Sequence, residues 1–155
     1  DAAPEVLDDV FKSMTTLNKY AAELLKPYDV HALTDVTGFG LMVHLNEMLD
    51  HKKSAILYGN NIPYFRDCPY YVDEFYLSGA AQTNRNSVEK EVVFEMENFF
   101  LEEIMYDPQT SGGLLASVAK KDLDDILDAF KEVGRECYVI GEVVDLKDKS
   151  IYVGE

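Results

Sequence analysis

A chain of 155 residues that is 47% apolar, with ten Tyr and eight Phe, has material for one ordinary globular core and too little length for two, so a single domain spanning 1–155 is expected. Its 29 acidic against 14 basic residues leave a net charge of −15, which repels phosphate backbones and anionic headgroups and argues against nucleic acid or a membrane as partner. An anionic substrate would then need backbone N–H groups or a divalent cation to hold it, which points towards a metal.

Pro4, Val6, Leu7, Val10, Phe11 and Met14 recur at helical spacing. A second stripe, Leu17, Tyr20, Ala21, Leu24 and Leu25, follows Thr15-Thr16 and stops at Pro27, so two short helices or one bent one open the domain. Val30 to Val36 reads as a buried strand, and Leu41, Leu45, Met48 and Leu49 as the next helix. Ser54 to Tyr58 is a strand, Gly59-Asn60-Asn61 a turn, Pro63 to Pro69 a loop, and Tyr70 to Leu77 a helix closed by Gly79. Ala80 to Ser87 reads as a loop, Val88 to Met96 fits strand or helix, and Asn98 to Tyr106 reads as a helix. An apolar strand, Leu114 to Val118, follows, then a helix striped by Leu123, Ile126, Leu127, Phe130 and Val133 with Gly134 as its stop. Two last strands, Cys137 to Val144 and Ser150 to Val153, are joined by a charged turn at 146–149. The fold class is therefore α/β or α+β, a mixed sheet covered by helices.

Cys68 and Cys137 lie in no zinc or redox spacing and read as free thiols in a reducing compartment; His31, His44 and His51 form no metal pair of their own. His44 and Glu47, three apart, read as a solvated helix face before a metal pair, and Asp122, Asp124, Asp125 and Asp128 lack the order of a calcium loop. No secretory leader opens the chain and no apolar run reaches the roughly 18 residues needed to span a bilayer, so a cytoplasmic location is expected. The start, Asp1-Ala2-Ala3-Pro4 without Met, suggests a piece of something larger.

Two polar, glycine-bearing joints interrupt this pattern. In "LTDVTGFGL", residues 33–41, a strand end meets a helix start, where unpaired N–H groups and glycines let an anion approach the backbone. Thr37 could instead cap the helix and Gly38 form a tight turn, a position that needs glycine if its φ is positive. Asp35 stands at the carboxyl end of a strand, where open α/β sheets place ligands, and its oxygens suit magnesium; capping of the helix start is the alternative. In "DPQTSGG", residues 107–113, Asp107-Pro108 starts a turn, and Gln109, Thr110 and Ser111 precede Gly112 and Gly113; the loop lines an active site or caps the preceding helix.

The two joints in this order, with "MTTLNKYAAELL" (14–25), "NNIPYF" (60–65) and "NRN" (84–86), resemble the C-terminal domain of the selenophosphate synthetase (selenide, water dikinase) family. Aminoimidazole ribonucleotide synthetases, thiamine-monophosphate kinases and hydrogenase-maturation proteins share the fold and differ at the second joint. The resemblance implies an ATP-dependent enzyme that makes selenophosphate, AMP and phosphate from selenide, ATP and water, with magnesium as cofactor. Asp35 then matches the magnesium ligand, and Thr37, Gly38, Gly40, Gln109, Thr110, Ser111, Gly112 and Gly113 match site-lining positions. It also implies that the nucleophile and a lysine lie in an N-terminal ATP-binding domain, that this domain is the chain's partner and the main dimer contact, and that no catalytic residue lies in these 155 residues. The alternatives are another ATP-using member of the superfamily or a non-catalytic interaction module. The stretch before "NRN" is glycine-rich in the family and reads Ala80-Ala81-Gln82-Thr83 here, which puts a contact there in doubt.

Overall fold

The computed structural model describes residues 4–155; Asp1, Ala2 and Ala3 of the start quoted above lie outside the described residues. In order, the elements are α1 (Pro4–Thr15), α2 (Lys19–Leu25), β1 (Val30–Asp35), α3 (Gly40–Leu49), β2 (Lys53–Tyr58), α4 (Cys68–Asp73), α5 (Gly79–Val88), β3 (Val92–Phe94), α6 (Phe99–Tyr106), β4 (Leu114–Val118), α7 (Leu123–Glu132), β5 (Gly141–Asp145) and β6 (Ile151–Gly154). The α/β class holds, with the strands divided between two sheets.

One sheet pairs β1 with β4 antiparallel, Asp35 opposite Leu114 and Thr34 opposite Leu115. Val30, Ala116 and Val118 pack on Leu25 of α2 and Ile126 and Phe130 of α7, each of which stabilises by about 1.5–3 kcal/mol on burial. The alternation of β1 follows from this packing. Val30, Ala32 and Thr34 are half-buried, while His31, Leu33 and Asp35 are exposed.

The second sheet has the order β3-β6-β2-β5. β6 runs parallel to both β2 and β3, and β5 runs antiparallel to β2. Ile151 and Val153 of β6 are fully buried in the main core, with Met42 and Leu45 of α3 and Met105 and Tyr106 of α6.

Three readings need correction, and one left open is resolved. The stretch 80–87 is helical, because the Ser78 hydroxyl accepts the Ala80 N–H as an N-cap and Ala81, Asn84 and Val88 face inward. The helix expected over 70–77 is α4, which stops at Asp73; Phe75 then takes a left-handed φ of 59°, and Gly79 begins α5 instead of closing a helix. Residues 137–140 are not strand, so the strand expected over 137–144 is β5, Gly141–Asp145; β5 and β6 flank β2, whose two edges both need partners. The ambiguous 88–96 resolves into the end of α5, a 3-10 turn and the three-residue β3.

Candidate functional site

Because β1 and β4 run antiparallel, the end of one lies beside the start of the other, and the two joints meet there. Val36 N–H donates to Gly113 O and Gly112 N–H returns to Val36 O, both at 2.9 Å. One residue further on, Thr37 O accepts N–H bonds from Gly40 at 2.9 Å and from Gln109 at 3.0 Å. Thus Thr37, Gly40, Gln109, Gly112 and Gly113 belong to one hydrogen-bonded unit about seventy residues apart in sequence.

The glycines of the first joint are not equivalent. Gly40 has φ +69°, and a Cβ there would lie 2.8 Å from Asp107 O and 2.9 Å from both Tyr106 C and O. The first joint rests directly on the backbone that enters the second. Gly38 has open space around it and a φ outside the left-handed region, so the local backbone does not require glycine there. In the second joint, Gly112 is pressed against Val36 O and the Gln109 side chain, while Ser111 carries a left-handed φ of 55°.

Asn84 of α5 fastens the two joints from beneath. Its buried amide donates to Gly38 O at 3.1 Å and to Tyr106 O at 3.0 Å. The neighbouring Arg85 forks onto Glu102 and Glu103 of α6 and lies 4.6 Å from the Tyr106 ring centroid, which fixes α5 against α6. Sequence reasoning missed Asn84, although it falls in the quoted "NRN". A short polar run gave no sign that one amide turns inward.

The side chains divide by exposure. Asp35, Thr110 and Ser111 are exposed, and Gln109 is half-buried with its amide on Asp107 O at 3.2 Å. Phe39 occupies the N-cap position of α3 with no side-chain bond, so neither Asp35 nor Thr37 caps that helix. The Thr37 hydroxyl instead meets Nε2 of His44 at 3.2 Å. His44 is buried, not on a solvated face, and Nδ1 lies 3.4 Å from Glu47. Burial, and then the nearby Glu103, push the Asp107 carboxyl above the usual carboxylate range; burial likewise pushes the Tyr106 phenol up to about 12.

Among the described residues no three or more His, Cys, Asp or Glu converge on a common point. One exposed carboxylate with a hydroxyl two residues on does not make an all-protein cage for zinc or calcium, but it does suit magnesium, which keeps waters and substrate oxygens in its shell. Two clefts, one of about 470 Å³ lined by Asn60 to Pro63, Leu127 and Cys137 to Val139, the other by Glu5, Val6, Asp9 and Phe65 to Asp67, contain no residue of either joint. Asp35, Gly38, Phe39, Thr110, Ser111 and Gly112 of the joints are exposed. Cys68 and Cys137 are free thiols, and no helix among the described residues is long and apolar enough to cross a membrane.

This arrangement can be compared with known proteins. A family model described as "AIR synthase related protein, C-terminal domain" matches residues 2–154. The chain belongs to this family. Over 95% of its length it is 43% identical to a selenide, water dikinase of Agathobacter rectalis, and over 99% it is 40% identical to one of Desulfitobacterium hafniense. A selenide, water dikinase 2 of Peptoclostridium acidaminophilum is 32% identical over 94% of the chain. The chain spans 43%, 45% and 43% of the length of these relatives, less than half in each case. The resemblance carried by the two joints is thereby borne out: this AIR synthase related domain is similar along nearly all its length to selenide, water dikinases.

Proposed function

We propose that the chain is the single C-terminal domain of a selenide, water dikinase and supplies one wall of its ATP site. The reading assigns the reaction selenide + ATP + water to selenophosphate + AMP + phosphate, so both phosphoanhydride bonds of ATP are broken. The observation that carries it is the fusion of the two joints by backbone hydrogen bonds from Val36 and Gly112 and from Gln109 to Thr37, in a chain so similar to these dikinases.

In this reading Asp35 holds magnesium, with ATP phosphate oxygens and water completing the shell. Magnesium supplies charge neutralisation on the phosphates as phosphoryl groups leave. Thr37, Gly38 and Gly40 line one side of the phosphate path, and Gln109, Thr110, Ser111, Gly112 and Gly113 the other. Asn84 and Arg85 keep the two sides at a fixed spacing, which matters because phosphoryl transfer depends on positioning. The nucleophile and a lysine come from an N-terminal domain of the same cytoplasmic enzyme, which dimerises mainly through that domain; these 155 residues alone do not turn over.

The test is phosphorus NMR on the full-length enzyme with ATP, magnesium and selenide under anaerobic conditions. A selenide-dependent phosphorus–selenium signal with AMP and phosphate is expected, and Asp35→Asn should lower its rate at least about a hundredfold without changing the fold. ADP formation indifferent to selenide would move the protein to another kinase of the superfamily. Full turnover by Asp35→Asn would remove the metal assignment.

A further inference from the structure

His44 stands behind the first joint in a line of three polar groups. Nε2 faces the Thr37 hydroxyl at 3.2 Å, Nδ1 lies 3.4 Å from Glu47 Oε2, and the Phe39 ring packs 5.7 Å from the imidazole. The His44 side chain is only 10% exposed, whereas Glu47 is 59% exposed, so the ring is enclosed and its carboxylate partner reaches solvent. A carboxylate beside Nδ1 favours the tautomer with its proton there and leaves Nε2 as the acceptor. The Thr37 hydroxyl has one proton and two lone pairs; donating the proton to Nε2 leaves oxygen lone pairs for whatever approaches the joint.

We propose that His44, backed by Glu47, is a positioning residue that makes the Thr37 hydroxyl an acceptor-only group at the joint, suited to a divalent cation and unsuited to donating to a phosphate oxygen. Thr37 thereby changes from a phosphate-lining residue to a second oxygen on the cation side, two residues from Asp35. The inference rests on the reading of Asp35 as a magnesium ligand. It adds a residue set, Thr37, His44 and Glu47, to which neither the family match nor the relatives' names assign a role.

Two measurements on the full-length enzyme test it. In protein labelled with 15N-histidine, long-range proton–nitrogen spectra report the His44 tautomer, its signal identified by loss in His44→Gln. The Nδ1–H form is expected; an Nε2–H form would overturn the proposal, because Thr37 would then accept the bond instead of donating it. Manganese binding in the presence of a non-hydrolysable ATP analogue, read by electron paramagnetic resonance, gives the second readout. Thr37→Val should weaken it about tenfold, Glu47→Gln by a smaller factor in the same direction, and Thr37→Ser should remain within about twofold of the parent. Parent-like binding by Thr37→Val, or a Thr37→Ser as weak as Thr37→Val, would also overturn it. Glu47 is a surface residue, so its variant still reports if the threonine variants fold poorly. Asp35→Asn separates the levels: weakened binding in that variant with none in Thr37→Val refutes this inference alone, whereas unchanged binding in Asp35→Asn refutes the metal assignment beneath it.

Discussion

Replacing Gly40 with Ala, beside Gly38→Ala as its partner experiment, tests the contact between the joints. A methyl group at Gly40 would sit within 2.9 Å of three backbone atoms of Tyr106 and Asp107, none of which can rotate away as a side-chain end could. Its φ of +69° adds about 1–2 kcal/mol for a residue with a Cβ, and forced separation of packed backbone adds about 1–3 kcal/mol. The sum is about 2–5 kcal/mol. For a domain of this size each kcal/mol lowers the melting temperature by roughly 2–4 °C, so a drop of roughly 4–20 °C is expected in differential scanning calorimetry. Gly38→Ala meets nothing within 4 Å and no left-handed backbone, and should change stability by less than about 0.5 kcal/mol. Equal melting of Gly40→Ala and the parent would refute the reasoning, as would a Gly38→Ala as costly as Gly40→Ala.

Asn84→Leu keeps the branched shape of the side chain but strands Gly38 O and Tyr106 O, each lost bond costing about 1–3 kcal/mol, and urea unfolding should show a loss of about 2–6 kcal/mol; a change under about 0.5 kcal/mol would mean that the clamp is dispensable. Tyr106 keeps its phenolic proton to about pH 12 in the fold, whereas an unfolded tyrosine releases it near 10. Between those values the unfolded state binds fewer protons, so stability falls as pH rises, with no contribution below. Tyr106→Phe should therefore move the alkaline unfolding midpoint upward by circular dichroism. Phenolate absorbance that rises in one step near pH 10 for all ten tyrosines would contradict this.

Much of the fold was legible because apolar spacing reports burial directly. The α7 stripe Leu123, Ile126, Leu127 and Phe130 needs no knowledge of its partners, whereas β1, read as buried, alternates between half-buried and exposed residues because only one face is covered. Helix α5 was hidden for the opposite reason, since "AAQTNRNS" turns inward on Ala81 and Asn84, and a buried amide carries no apolar signal. The pairing of the two last strands was not legible, because they follow one another in sequence and yet β2 lies between them in the sheet. At the site, the motifs identified the joints, but only their backbone pairing in space separates Gly40 from Gly38. His44 was misplaced because its neighbours Thr37 and Phe39 are contributed by the loop before α3 and not by its own helix face.

The place of β6 in its sheet bears on how the chain matures during synthesis. As the strand between β2 and β3, and the last of the described elements in chain order, it is the element without which β3 has no neighbour and the buried side of α3 and α6 stays uncovered. Elongation alone therefore cannot complete the core from the front of the chain backwards. The nascent domain must hold its apolar helices in an unfinished state until Ile151 and Val153 arrive, an interval in which that apolar surface is open to association with other chains.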